Sequence, residues 1–338
     1  MHYNLRTNAA IPMVENKDTL RVGYHASHEQ FKPSALLQYV QLAEQAGFNA
    51  SLSSDHFAPW SLDQGESGFA WSWLGAAMQA TNLPFGIVNA PGQRYHPAII
   101  AQAAATLAEM FPDRFWVAMG SGQYINEQIT GEHWPVKQDR NARLKECVDI
   151  IRALWAGETV THHGLVTVEE AQLYTRPTRA PKIIGAAITE QTAEWVGSWA
   201  DGMITVSKPP KELKKIVEAF HRGGGEGKPL YLKVQLSYAD DEKQALQGAH
   251  EQWRSNIFPS AVLSDLRTAK QLEQAAMFVR EEDLREHVRI SADPNLHVEW
   301  LQQDIELGFS QLILHNVNLQ QERFIEVFGE KVVPQLLR

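Results

Sequence analysis

From residue 21 onward, short β-branched or aromatic runs alternate with longer segments of helical period. The runs at 21–26, 49–54, 84–89 and 115–120 predict four strands. Between them, Pro33 with Leu36, Leu37, Val40 and Ala43 predicts a helix that Gly47 ends. Residues 70–80 predict a second helix, and Pro97 opens a third that runs to Met110. A long amphipathic helix is expected over 137–155. Residues 157–180 break the alternation: Thr159 to Val168 reads as a hairpin turning at Gly164, an insertion. Strands follow at 182–187, 202–207, 230–238 and 311–317, with helices at 189–200, 209–222 and 321–337 between and after them. The glycine-rich stretch 223–227 reads as a flexible loop on the far face. Residues 240–307 are helical and longer than one crossover needs, so a second insertion is expected at about 256–280. Residues 1–20 are polar, without a period, and read as an N-terminal arm.

Eight strand–helix units is the number that closes a parallel barrel, whereas doubly wound sheets usually have five or six strands. The predicted fold is α/β, a (β/α)8 TIM barrel forming one domain over 1–338. Its insertions follow the fourth strand–helix unit and separate the seventh and eighth strands.

Composition narrows the function. Thirty-one Lys and Arg against forty Asp and Glu leave a net charge of −9, which disfavours a nucleic-acid partner. The single cysteine, Cys147, excludes an intrachain disulfide framework and a thiolate zinc cage. No apolar run has the length of a membrane span, and the first twenty residues lack the apolar core of a signal peptide. A cytoplasmic protein is expected.

In a barrel, functional groups gather at the C-terminal ends of the strands. Those ends carry His25 and Ser27, Asp55 and His56, Asn89, Ser121 with Gln123, Ala187 with Thr189, Ser207 with Lys208, Ser237, and His315 with Asn316. Asp55-His56 is the sharpest feature, because histidine exchanges protons near neutral pH. The alternative is a capped loop in which Asp55 simply holds His56. His25-Ala26-Ser27-His28 lacks the spacing of a barrel metal site, and no catalytic metal is expected. Gly120-Ser121-Gly122 and the turn 185–189 offer backbone N–H groups to a phosphate, and Thr189 can also cap the following helix. Trp60, Trp71, Trp73 and Trp134 are placed on the same face and can wall a flat ligand or anchor loops.

These residues form a known pattern. The run from Val22 to Phe31, Ser54-Asp55-His56-Phe57-Ala58-Pro59-Trp60, the stretch from Arg94 to Gln102, and Gly120-Ser121-Gly122-Gln123-Tyr124-Ile125-Asn126-Glu127 resemble the bacterial luciferase-like flavin oxidoreductases. Ala200-Asp201-Gly202 and Gly308-Phe309 continue the resemblance, which covers nearly the whole chain from residue 21. The branch most resembled is the deazaflavin-dependent glucose-6-phosphate dehydrogenases. The resemblance implies a flavin-type ring across the barrel mouth, flanked by Asp55 and His56, with His56 moving a proton and Trp60 beside it. It further implies a non-proline cis peptide near Val88-Asn89, Asn126 and Ala186 to Thr189 near the cofactor phosphate, and a homodimer built on the helices beside the second and third strands.

One departure directs the expectation. The sugar-phosphate dehydrogenases carry a glutamate where this chain has Gln123, and a glutamine cannot exchange a proton at neutral pH. Basic residues for a sugar phosphate are limited to Lys208, Lys211, Arg285 and Arg289. The leading expectation is therefore an FMN-dependent monooxygenase, with reduced flavin from a partner reductase or NAD(P)H. The alternatives are a deazaflavin-dependent dehydrogenase and a non-catalytic flavin-binding protein. His56, Asp55 and Gln123 form the expected catalytic set. Val88, Asn89, Gly120, Ser121, Asn126, Ala186, Ala187, Thr189 and Ser207 join Asp55 and His56 as cofactor contacts. His25, Glu29, Trp60, Gln123, Lys208 and His315 are the expected substrate pocket.

Overall fold

A computed structural model describes residues 20–337; the expected arm at 1–20 lies outside them except for its last residue. The chain runs β1 (Arg21–Ala26), α1 (Pro33–Gln45), β2 (Ala50–Ser54), α2 (Ala70–Ala80), β3 (Phe85–Asn89), α3 (Pro97–Met110) and β4 (Phe115–Met119). A short α4 (Tyr124–Glu127) and a long α5 (Lys137–Ala156) follow. The hairpin β5 (Val160–His163) and β6 (Thr167–Ala171) precedes β7 (Lys182–Ala186), α6 (Glu190–Gly197), β8 (Gly202–Val206), α7 (Pro210–Phe220) and β9 (Leu230–Ser237). After α8 (Glu242–Trp253) the second insertion holds α9 (Ser260–Asp265), α10 (Ala269–Ala275) and 3-10 turns. The chain ends with β10 (Arg289–Ile290), α11 (Pro294–Glu306), β11 (Gln311–Asn316), α12 (Gln321–Lys331) and α13 (Val333–Leu336).

Eight of these strands, β1, β2, β3, β4, β7, β8, β9 and β11, pair in parallel and close on themselves through β1–β11 and β8–β9. This is the predicted barrel. Its interior is filled by Ala50, Leu52, Trp116, Ala118, Ile184, Ile204 and Ile313. Gly86 sits opposite Trp116 across the ladder, and a Cβ there would lie 2.2 Å from the indole, so glycine makes room for the ring. A much larger apolar layer joins the outer face of the sheet to the helices. Capping sets several helix starts: His96 accepts from the Ala98 N–H before Pro97, Asp241 from Gln244, and Asp293 from Asn295.

Two local expectations change. The stretch 223–227 is not a loose loop at its start. A Cβ on Gly223 would come within 1.8 Å of the Glu194 carbonyl oxygen, so the glycine lets two backbones meet. No cis peptide bond occurs among the described residues, so the expectation near Val88-Asn89 fails. There β3 stays extended and in register with β4, Asn89 opposite Met119.

Candidate active site

Ser54 ends β2, and the chain leaves the barrel with Asp55 and His56 at its mouth. Neighbours on extended backbone point opposite ways, and here they enter different networks. The buried Asp55 carboxylate accepts from Asn89 Nδ2 at 2.9 Å, Trp71 Nε1 at 3.2 Å, the Tyr95 hydroxyl at 3.3 Å and an Arg94 guanidinium N–H at 3.4 Å. Arg94 also donates to the Asp55 carbonyl at 2.7 Å. Asp55 therefore ties β2 to β3, α2 and the loop before α3. No hydrogen bond joins it to His56, which corrects the idea that Asp55 orients or caps the histidine.

The His56 partner comes from the turn after β1. Its Nδ1 bonds the Glu29 carboxylate, which also accepts from Ser27 Oγ at 2.9 Å. Burial opposes ionisation of Glu29, yet the His56 ring and the Lys233 charge hold its carboxyl far below the usual range. Trp60 meets the imidazole edge-on, with centroids 5.1 Å apart. No described residue bonds His56 Nε2, and the ring lines the cavity. The arrangement fixes one nitrogen and presents the other.

That cavity has a volume of about 1550 Å³, above the common range for small-molecule sites. Of the expected contacts, Val88, Asn89, Gly120, Ser121, Gln123, Asn126, Ala186, Ala187, Thr189, Ser207 and Lys208 line it, as do Trp60 and Trp134. Several of them first serve the protein. Asn126 Oδ1 accepts from the Phe57 and Ala58 N–H groups at 2.9 and 3.2 Å, pinning the loop that carries His56. Thr189 caps α6, Ser207 bonds Gln235, and Lys208 pairs with Glu212. Arg285 and Arg289 also reach the cavity; Arg289 is neutralised by two bonds to Asp304, of 2.6 and 2.9 Å.

Other expectations are redirected. His25 and His315 do not line the cavity; their rings meet at a tilt of 56°, with centroids 4.4 Å apart. Burial, with help from Lys233, holds both well below the ordinary histidine range, so they are neutral. Glu29 likewise lies behind His56. Trp71 and Trp73 are core residues of α2, donating to Asp55 and to the Pro33 carbonyl. At the seventh barrel strand, Ser237 does not line the cavity and donates to the Ala245 carbonyl at 2.6 Å, while Lys233 and Gln235 line it. The signal was present. In Leu230-Tyr231-Leu232-Lys233-Val234-Gln235-Leu236 the polar residues share one parity, and the other parity is apolar. Trp253, on the helix after that strand, also lines the site and had no signal of its own.

The cavity suits a flat heterocycle. Gly120, Ala186 and Ala187 at the ends of β4 and β7 form a shelf without long side chains, and a Cβ on Gly120 would stand 3.5 Å from that of Ala186. Asn89 Oδ1 and Thr205 Oγ1, on the lining, are buried and have no hydrogen-bond partner among the described residues. The N-termini of α5, α6 and α7 reach the rim through Lys137, Thr189 and Pro210, where an anionic tail is favoured. Among the described residues no group of three or more His, Cys, Asp or Glu could hold a metal.

The profile of the family described as luciferase-like monooxygenase matches residues 18–311. Curated relatives include F420-dependent glucose-6-phosphate dehydrogenases of Beutenbergia cavernae, 35% identical over 94% of this chain and 97% of that one, and of Mycobacterium tuberculosis, 32% identical over 94% and 98%. Among solved structures, an F420-dependent secondary alcohol dehydrogenase superposes with a TM-score of 0.88 at 29% identity, covering 95% of this chain and 99% of the other. A type II Baeyer–Villiger monooxygenase in complex with FMN, from Pseudomonas putida, reaches 0.70 at 15% and shares the fold alone. These findings overturn the expectation of an FMN-dependent monooxygenase. That expectation rested on Gln123, which stands on the cavity wall and bonds Asn126 at 3.4 Å. A change there alters proton chemistry without altering the ring shelf. By its match over most of its length, the chain belongs to the luciferase-like family and is an oxidoreductase with a flavin- or deazaflavin-type site.

Proposed function

We propose that this protein is a dehydrogenase that uses the deazaflavin coenzyme F420 to oxidise a small alcohol. The observation that carries the reading is the His56 imidazole, anchored through Nδ1 by Glu29 and open through Nε2 to the cavity. When bound, a deazaflavin supplies a two-electron hydride acceptor that needs no oxygen. The protein supplies the rest. His56 Nε2 takes the hydroxyl proton as the carbinol hydrogen leaves with its electron pair, and the product is a ketone or aldehyde. Glu29 keeps the imidazole in the tautomer whose Nε2 is a free acceptor and stabilises the imidazolium that forms. Trp60 and Trp253 wall the reacting region from water. Gln123 can donate a hydrogen bond to substrate or ring but holds no proton to give, so His56 is the only proton carrier in this assignment.

In this reading no reductase partner is needed, because the alcohol is the reductant. The homodimer remains part of the proposal. Phe69 and Ile99, exposed beside α2 and α3, support a second copy on that face, and sedimentation would measure it. The test of function is a paired titration with F420 and FMN followed by anaerobic turnover on short secondary alcohols. F420 is expected to bind at least about tenfold more tightly, a 1.4 kcal/mol preference, and to be reduced without oxygen. Tighter FMN binding, or turnover that requires oxygen, overturns the reading.

A further inference from the structure

Lys233 stands on β9, half-buried, with its side chain turned into the cavity. Among the described residues no hydrogen bond or ion pair reaches its Nζ. The nearest described feature is the face of Trp253, with the ring centroid 5.9 Å away. Its neighbours inside the barrel, His25 and His315, are neutral. The carboxylate that faces it, Glu29, is already engaged by His56 and Ser27 and lies beyond ion-pair reach. Burial lowers the lysine pKa to about 8, against the pull of Glu29, so it remains mainly cationic at neutral pH. A half-buried cation on a cavity wall without a counter-ion is costly, and such groups concentrate where a ligand completes them.

The other cations on the lining differ. Arg289 is matched by Asp304, Lys208 by Glu212, and Arg140 by Asp265; Lys137 donates to Ser121 on the shelf side, across the barrel, and Arg285 is exposed to solvent. Lys233 is on the side of His56: its strand β9 pairs with β11, β11 pairs with β1, and the turn after β1 carries Glu29, which bonds that imidazole. We propose that Lys233 anchors a single negative charge on the substrate, a carboxylate carried next to the alcohol that His56 deprotonates. One ammonium flanked by neutral imidazoles and an indole matches one charge. A phosphate dianion calls for several donors. The substrate class is thus a short hydroxy acid. This inference rests on the dehydrogenase reading above for its chemistry, but not for its binding test.

That test uses the full-length protein without cofactor. Tryptophan fluorescence is followed on titration with lactate, 2-hydroxyhexanoate and mandelate, each against its neutral 1,2-diol, and with inorganic phosphate. The acids are expected to bind about tenfold or more tightly than the diols. K233M should abolish that preference and K233R should restore part of it. Lys233→Gln serves as a second neutral variant if the methionine fails to fold, judged by near-ultraviolet circular dichroism. Equal binding of acids and diols, no binding of any acid, or a preference that survives both neutral variants overturns the proposal. Phosphate competing as strongly as the acids also rejects it, in favour of a phosphorylated alcohol. A deazaflavin that fails to bind defeats the dehydrogenase reading while leaving an acid preference standing, so the two failures are distinguishable.

Discussion

At the scale of the residue, the site depends on a carboxylate–imidazole pair and on the charges around it. His56→Ala removes the proposed base from a partly open position, so the fold should survive while turnover falls by about 10²-fold or more. Single-turnover deazaflavin reduction measures this, and near-wild-type rates would reject the role. Glu29→Gln keeps an acceptor for Nδ1 but loses the charge that stabilises the imidazolium. Its kcat should fall between those of wild type and Glu29→Ala, with the KM for deazaflavin unchanged. A KM effect without a kcat effect would mean that Glu29 shapes the cavity and does not position the base.

At the scale of the element, Asp55 matters more than its exposure suggests. It joins β2 to β3, α2 and the segment before α3 through four side-chain donors, from Asn89, Trp71, Tyr95 and Arg94. In Asp55→Ala the Arg94 guanidinium would keep the backbone carbonyl of position 55 and Glu127, 3.6 Å from its Nε, but the Asn89, Trp71 and Tyr95 donors would lose their acceptor. Leaving buried donors unsatisfied costs about 1–3 kcal/mol each, so urea unfolding should show a large loss of stability. A loss under about 1 kcal/mol would show that the hub is not structural. The second insertion is held to the mouth by ties to Asp265: Trp134 donates to its carboxylate at 3.2 Å, and Arg140 pairs with it at 3.5 Å. These elements carry no strand of the barrel, yet they form the cavity wall farthest from the sheet.

At the scale of the whole molecule, buried histidines set the response to acid. Burial pushes His28 and His297 down to about 4, with each ring packed edge-on against a tryptophan, Trp73 and Trp300. Unfolding returns them to near the free value of about 6.5. Above that value neither state is protonated and nothing is lost. As pH falls from about 6.5 toward about 4, the unfolded chain binds protons that the folded chain refuses, and stability declines. Each such group contributes a slope of about 1.4 kcal/mol per pH unit within that window. Denaturation midpoints measured at pH 7.5 and 5.0 should therefore differ, and His297→Gln should flatten the dependence. A profile level across that interval would contradict the assignment.

The order of elements, the closed parallel barrel, the hairpin at 160–171 and the placement of Asp55 and His56 at its mouth were legible in the residues themselves. Strand and helix periods are properties of the local backbone, and a barrel confines chemistry to one end of its strands. The partners were not legible. Adjacency in sequence favoured Asp55 as the partner of His56, but Glu29, 27 residues earlier, holds it, because neighbours on extended chain face apart while β1 and β2 lie side by side. Parity on β9 could be read from its alternation, but only the closed sheet shows which parity faces the ligand and leaves Lys233 without an ion. Which charges meet is decided by three-dimensional proximity, and local pattern carries no record of it.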